Sequence, residues 1–447
     1  MSGAGKQGLF SEHQTDEELL DDIERQAFRY FQNEVNEENG LIPDKTQPGS
    51  PASIAVLGLA LASYPVGVER GFWTREEAVE RTLTPLRFLS GSPQSREADA
   101  TGYRGFYYHF LDLKTGRRTW RCELSTVDTA LLIAGVLAAA LYFDRDDEAE
   151  RDIRDRADSL YRRIDWGWAL NGGPTVSHGW KPETGFLRYR WEGYSEALFL
   201  YALALGSPTH PIPPECYRAW TSTYAWKKTY GIEHLHAGPL FIHQLSHVWI
   251  DFRDIPDEFM RQRGIDYFEN SRRAVRIQRE YAIRNPKEFE GYARDCWGLT
   301  ASDGPGPAAM KIGGVQRRFY GYRARGAPFG PDDGTVSPWA VGASLPFDRT
   351  VVLESLRRFI SDFGLKKRHE YGFEASFNPT FPADPEPNAA SVAPSGWVSP
   401  WIFGLNQGPL LLMIENARTE LIWKLMRRNR FMTQGLRRAG FRGAWLE

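Results

Sequence analysis

The sequence predicts an all-α protein: an (α/α)6 toroid, or barrel, of about six outer–inner helix pairs, with long loops and small strands at one face. Two observations carry this reading. Segments that are apolar on every side alternate along the chain with charged, amphipathic segments, as buried inner and half-exposed outer helices would. The long inserts, at 91–121, 166–192, 286–333 and 365–403, precede inner helices and so would emerge together where those helices begin.

The elements follow in order. Residues 16–35 place Leu19, Leu20, Ile23, Ala27, Phe28, Tyr30 and Phe31 at helical spacing behind an acidic first turn. Residues 50–63 are apolar nearly all round and rich in small side chains. The alternation continues with 74–90 (amphipathic), 125–143 (apolar), 146–165 (charged), 194–206 (apolar) and 214–230 (mixed). It then runs through 238–252 (apolar), 257–283 (amphipathic), 334–347 (apolar), 349–364 (amphipathic) and 406–418 (apolar). The spacing is less regular than in TPR, HEAT or ankyrin arrays, which favours closed pairs over an open solenoid. Residues 103–113 and 318–326 alternate in part and predict small strands within the inserts. No linker divides the chain, so 1–447 is expected to be one domain, with residues 1–12 disordered and 431–447 a basic, solvated tail.

Bulk composition excludes several classes of function. A formal net charge of −2 gives no global field for nucleic acid or an anionic membrane. The three cysteines, Cys122, Cys216 and Cys296, have no zinc spacing and no disulfide framework. Residues 1–20 lack a basic then apolar leader, and no apolar run reaches the roughly 18 residues of a membrane helix. The expected location is cytoplasmic, or periplasmic if a signal was removed.

Aromatic residues are more specific. Fifteen tryptophans are present, and several, including Trp120, Trp180, Trp191 and Trp297, lie in loop-like, glycine-rich inserts where flat rings would stack on a ligand. Carboxylates then stand at the starts of apolar helices. In 122–135, CELSTVDTALLIAG, Ser125 and Asp128 fit a variant capping box, whereas Glu123 precedes the helix and has no capping role. In 186–211, Glu192 and Glu196 stand before the next apolar helix, among Arg188, Arg190, Trp191 and Tyr194. Burial among aromatic groups raises a carboxyl pKa and suits a general acid; a helix N-terminus favours the ionised form and suits a base or nucleophile. Two such acids facing each other across an aromatic cleft are the machinery of glycoside cleavage.

The runs 123–130 (ELSTVDTA), 194–197 (YSEA), 205–211 (LGSPTHP), 296–305 (CWGLTASDGP), 331–335 (PDDGT) and 406–409 (NQGP) resemble the glucoamylase-like family. That family includes bacterial β-1,2-glucanases and the transglycosylase region of cyclic β-1,2-glucan synthases. The resemblance covers nearly the whole chain. It implies an (α/α)6 barrel and hydrolysis or transglycosylation of β-1,2-linked glucan. It also implies that Glu196 is an acid of the chemistry, and that Glu123 and Asp128 occupy positions where branches of the family differ in the acid used. Ser195 departs from the asparagine common among relatives, so one polar contact differs.

The candidate catalytic set is therefore Glu196, Asp128 and Glu123. Candidate substrate-binding residues are Arg104, His109, Trp120, His178, Trp180, Trp191, Tyr194, Trp297, Asp303 and Asp333. His243 and His247 stand at the i, i+4 spacing of a helical metal pair, but Gln244 replaces the glutamate a zinc hydrolase would use, and core histidines are the expectation. No metal or cofactor is expected, and the partner is an oligo- or polysaccharide, with no nucleic acid and no membrane. Rival classes are a non-catalytic glycan-binding protein on the same fold, a glycosidase for another β-glycan, and a helical cyclase. The last would need an acidic DxDD run or a Cys/Cys/His zinc set, and the sequence has neither.

Overall fold

In the computed structural model, residues 14–382 and 396–447 are described. The expectation for residues 1–12, and part of the insert at 365–403, lie outside them. Six outer helices are Asp16–Asn33, Arg75–Gly91, Glu148–Arg162, Pro214–Thr221, Tyr267–Arg284 and Arg349–Ser361. Each is followed by an inner one: Ile54–Glu69, Thr126–Tyr142, Leu198–Gly206, Leu245–Trp249, Pro338–Gly342 and Gly404–Thr419. The protein is thus helix-rich, with short strands in the connections.

Local chemistry sets the helix starts. Thr15 and Thr74 form reciprocal capping boxes with Glu18 and Glu77 on the first two outer helices. Ser53 and Ser125 cap the first two inner helices through their hydroxyls. These two inner helices are buried on all sides, and small residues let them touch. A methyl group at Gly135 would lie 1.8 Å from the carbonyl oxygen of Gly58, so only glycine permits the approach. Ile54–Glu69 also packs on Gly404–Thr419, Thr126–Tyr142 on Leu198–Gly206, and Gly404–Thr419 on both Leu245–Trp249 and Pro338–Gly342. Among the described residues no helix is long and apolar enough to cross a membrane.

Four expectations change. The segment 214–230 stops being helical at Thr221, and Trp226–Thr229 pairs antiparallel with Ile232–Leu235 around Tyr230 and Gly231, both at positive φ (52° and 81°). That is the backbone a tight hairpin turn demands. The segment 257–283 is two helices, Glu258–Arg263 and Tyr267–Arg284, separated at Gly264 (φ 70°) and capped by Asp257 and Asp266. The segment 238–252 yields a 3-10 turn, Leu240–His243, and only a short helix, Leu245–Trp249. The basic tail is not a solvated end: Arg430–Arg438 packs on Leu198–Gly206, burying Phe431, Met432 and Leu436. Gly435 sits so close that a methyl group there would lie 1.7 Å from the Ala202 carbonyl oxygen.

The inserts form a five-stranded antiparallel sheet in the order Gly102–Tyr103, Phe106–Tyr108, Leu124–Ser125, Gly179–Lys181, Gly185–Phe186. Leu124–Ser125 runs directly into the second inner helix. This strand couples the insert sheet to the helix that carries Asp128.

Candidate active site

A cavity of about 490 Å³ opens at the N-terminal ends of the inner helices. Three of its lining side chains are the carboxylates singled out by sequence, Glu123, Asp128 and Glu196. A smaller cavity of about 170 Å³ is also lined by Asp128 and Glu196, but not by Glu123, and has Leu131, Phe241, Leu245 and Trp339 on its walls.

Sheet register builds one wall. Tyr107 pairs with Ser125 and Tyr108 with Leu124, so the next residues along, His109 and Glu123, face each other. The His109 N–H donates to the Glu123 carbonyl at 3.0 Å. Their side chains meet as well, with His109 Nδ1 2.9 Å from Glu123 Oε1. His109 Nε2 lies 3.6 Å from Asp128 Oδ2. Asp128 is the third residue of its helix. Its backbone N–H donates to Ser125 Oγ, and the Ser125 hydroxyl donates to Asp128 Oδ2 at 2.5 Å. Ser125 is therefore the helix cap, and it holds the Asp128 carboxylate as well.

Across the cavity, Glu196 stands two residues before the helix Leu198–Gly206. That helix has no side-chain cap of its own; Ser246 Oγ accepts from the Phe199 N–H and donates to the Glu196 carbonyl, fixing the backbone there. Burial, with the Asp128 charge adding to it, pushes the Glu196 carboxyl up to about 7, against a backbone hydrogen bond. The hydrogen bond from His109 takes Glu123 the other way, down to about 2, against burial. Burial works to lower His109, but the charges of Asp128, Glu123 and Asp44 overcome it and raise the imidazole to about 9. Neighbouring acids are thus driven apart, which is how one site holds a proton donor and ionised carboxylates at one pH.

The other walls are aromatic and polar. Trp191 stacks on His178 at 3.9 Å between centroids, and its Nε1 donates to Thr126 Oγ1 at 3.0 Å. Asp303, reaching in from its glycine-rich loop, accepts from Ser399 Oγ at 3.3 Å. Tyr322, 59% exposed, faces Phe403 across a centroid distance of 6.1 Å.

Of the expected binding residues, His109, His178, Trp191 and Asp303 line the cavity. Trp297 does not: it is 0% exposed and its Nε1 donates to Ser355, because the loop carrying it packs inward against the outer helix Arg349–Ser361. Asp333 is likewise buried, in an ion pair with Arg325 at 2.6 Å. Trp180 packs against Tyr103 and Trp168 within the insert sheet, and Tyr194 against Tyr224, Tyr267 and His243. Arg104 pairs with Asp165 at the surface. Trp120 stands 65% exposed beside Phe110, outside the cavity lining. The structure does not bring these six side chains to the cavity lining.

The cavity also uses residues the sequence reading missed: Asp44, Lys45, Tyr322, Phe403 and Asn406. Asp44 and Lys45 precede the first inner helix, and Asn406 opens the sixth. The rule that placed Asp128 and Glu196 at inner-helix starts extends to both places.

His243 and His247 are core residues, as expected. Their Nε2 atoms lie 3.1 Å from the Ala237 carbonyl and 2.9 Å from Ser271 Oγ, and burial lowers each to about 3. Among the described residues, one group brings three ligand atoms within 4.8 Å of one another: His109, Glu123 and Asp128. Both ring nitrogens of that histidine already face carboxylates, so the group is a charge-paired chain before it is a cation site.

The sequence model of the family described as "Putative glucoamylase" matches residues 188–430. An exo β-1,2-glucooligosaccharide sophorohydrolase (non-reducing end) of Parabacteroides distasonis is 30% identical over 95% of this chain and 58% of its own length, so the chain spans little more than half of that relative. Among solved structures, a protein of Bacteroides uniformis with the same glucoamylase description superposes with a TM-score of 0.84 at 32% identity, covering 98% of this chain and 100% of that one. An endo-β-1,2-glucanase of Chitinophaga pinensis, in complex with sophorotriose and glucose, gives a TM-score of 0.80 at 27% identity over 97% and 100%.

Proposed function

The chain belongs to the glucoamylase-like family, and from that premise we propose that it is a glycoside hydrolase cleaving β-1,2-linked glucan, with Glu196 as general acid and Asp128 as its partner carboxylate. The observation that carries the proposal is the pairing of Glu196, raised to about 7, with Asp128 across one aromatic-walled cavity. Near neutral pH Glu196 retains a proton to give the glycosidic oxygen as the bond breaks. Asp128 sits in the first turn of its helix, which aims it into the cavity beside Glu196. Ser125 and His109 both act on Oδ2, which leaves Oδ1 to take a proton from water or to meet the anomeric carbon. The substrate class rests on the names of the sophorohydrolase and the endo-β-1,2-glucanase, each similar to this chain over more than nine-tenths of its length.

The scaffold is read as an (α/α)6 toroid forming one catalytic domain. Inner-helix contacts run from Ile54–Glu69 through Thr126–Tyr142 and Leu198–Gly206 to Leu245–Trp249, and from Pro338–Gly342 through Gly404–Thr419 back to Ile54–Glu69. The Gln244 side-chain amide bridges the remaining gap, donating to the Ala340 carbonyl at 2.6 Å and Ser344 Oγ at 2.8 Å. A single hydrophobic cluster runs through all six pairs.

The test is incubation with linear β-1,2-glucan, with products followed by chromatography and the new anomeric centre by NMR. Shorter β-1,2-linked oligosaccharides are expected, and the earliest products separate endo from exo cleavage and hydrolysis from transfer. An unchanged polymer under conditions where other β-glucans are cut would overturn the substrate assignment.

A further inference from the structure

Glu123 is the carboxylate that helix capping does not explain, and its side chain is committed to His109. The imidazole spans two acids: Nδ1 is 2.9 Å from Glu123 Oε1, and Nε2, on the opposite edge of the ring, is 3.6 Å from Asp128 Oδ2. We propose that His109 is a positioning residue, an imidazolium oriented by Glu123 that holds Asp128 in place opposite Glu196, so that Glu123 acts through His109 and not on the sugar. This rests on the reading of Glu196 and Asp128 given above, and it extends that reading to the third acid.

Five observations support it. A ring nitrogen without a proton would present its lone pair to a carboxylate, so an imidazole facing acids on both edges is favoured as the cation. The ring cannot easily turn away, because it stacks on Phe110 with centroids 3.9 Å apart and planes 13° from parallel. The groups around it are predominantly acidic. Glu123 and Asp128 face it from the strand and helix, Asp44 from the loop before the first inner helix, and Lys45, His178, Glu196, Asp303 and Tyr322 complete the charged and titratable lining. The raised pKa of His109 and the lowered one of Glu123 agree with this arrangement. Finally, the smaller cavity is lined by Asp128 and Glu196 and by neither Glu123 nor His109, so this pair stands apart from the part of the cleft the other two acids share.

The consequence is specific. With the imidazole removed, Asp128 Oδ2 loses one of the two groups that hold it, and Glu123 loses its ring partner. A partner carboxylate held less firmly lowers kcat with little change in KM. His109→Gln and Glu123→Gln should both do this, because each breaks the same chain.

The experiment compares the wild type, His109→Gln, Glu123→Gln and the double variant on linear β-1,2-glucan, with kcat and KM read from pH 4 to 9. Each single variant is expected to lower kcat on the order of 10-fold or more, with KM little changed. That loss falls short of the 10²–10⁴-fold expected for removing a group that itself transfers the proton. The double variant should be no worse than the weaker single one, as for residues acting as a unit. A Glu123→Gln variant as inactive as Glu196→Gln, beside an unaffected His109→Gln, would overturn the proposal and make Glu123 act directly. A second readout needs no substrate: NMR titration of the His109 ring nitrogens. The ring should titrate near 9 in the wild type and clearly lower in Glu123→Gln. A His109 that titrates at an ordinary 6 to 7 in both overturns the proposal. If the wild type leaves β-1,2-glucan intact, the substrate assignment falls and this titration alone decides the role of His109.

Discussion

The two ends of the inner helices carry the same kinds of side chain and put them to different use. At the N-terminal ends, Glu123, Asp128 and Glu196 line an open cavity, with His109 between two of them. Toward the C-terminal ends, Glu24 and Glu415 are buried with Arg70 and Arg418. Arg70 Nε is 2.7 Å from Glu415 and 3.6 Å from Glu24, and Arg418 also bonds Glu24. Burial and then the Glu415 charge push Glu24 up to about 8, further than burial moves Glu196. A displaced carboxyl is therefore no mark of chemistry by itself. What separates the two is access: Glu24 is sealed against protein groups, whereas Glu196 borders space for a sugar and faces a second carboxylate.

The comparison breaks most visibly under neutralisation of each raised acid. Glu196→Gln should lower kcat on β-1,2-glucan by about 10²–10⁴-fold while oligosaccharide binding, measured by calorimetry, is retained. Glu24→Gln should leave kcat within about 2-fold, since it touches nothing that touches substrate. Unchanged turnover in Glu196→Gln would sink the assignment of that residue.

Two aromatic residues sharpen the same contrast between sealed and open positions. Trp297→Ala removes a fully buried ring and should cost about 3–5 kcal/mol in denaturant unfolding, with KM unchanged for the folded fraction. Tyr322→Ala removes an exposed ring at the cavity and should leave stability nearly intact. Its KM should rise about 2- to 12-fold, the equivalent of roughly 0.5–1.5 kcal/mol for one aromatic contact. A rise in KM for Trp297→Ala would restore that residue to the binding surface.

The smallest effect lies at the buried cluster. A carboxyl whose folded pKa is raised binds its proton more tightly when folded. The stability it contributes is present below about 4.5 and is lost as pH rises through about 8. Thermal melts of Glu24→Gln and wild type should therefore diverge in favour of the variant between pH 5 and 9. A constant difference across that window would mean that Glu24 stays ionised beside its two arginines.

The fold was legible because its signal is redundant. All-round apolar helices need no partner information to be read as inner ones, and residues 125–143 match Thr126–Tyr142 almost end to end. Elements governed by a turn were harder. The helix expected over 214–230 gives way to a hairpin because Tyr230 and Gly231 adopt positive φ, a local preference that helical periodicity does not register. The basic residues of the tail obscured its buried face, which depends on a glycine contact with another helix. At the site, carboxylates at helix starts were found because position along the chain fixes their end of the fold. Tryptophans in loops were not sorted the same way, since Trp191 and Trp297 differ only in which side of a loop packs inward. The partnership of His109 with Glu123 depends on strand register across 14 residues, which composition alone does not specify.

The central claim is that Glu196 works as an acid because burial keeps it protonated near neutrality. The pH dependence of kcat/KM on linear β-1,2-glucan tests this most directly, since it reports the groups of the free enzyme. The account predicts a bell whose alkaline limb has its midpoint near 7, where Glu196 loses its proton. Activity that stays level from pH 6 to pH 9 would contradict it.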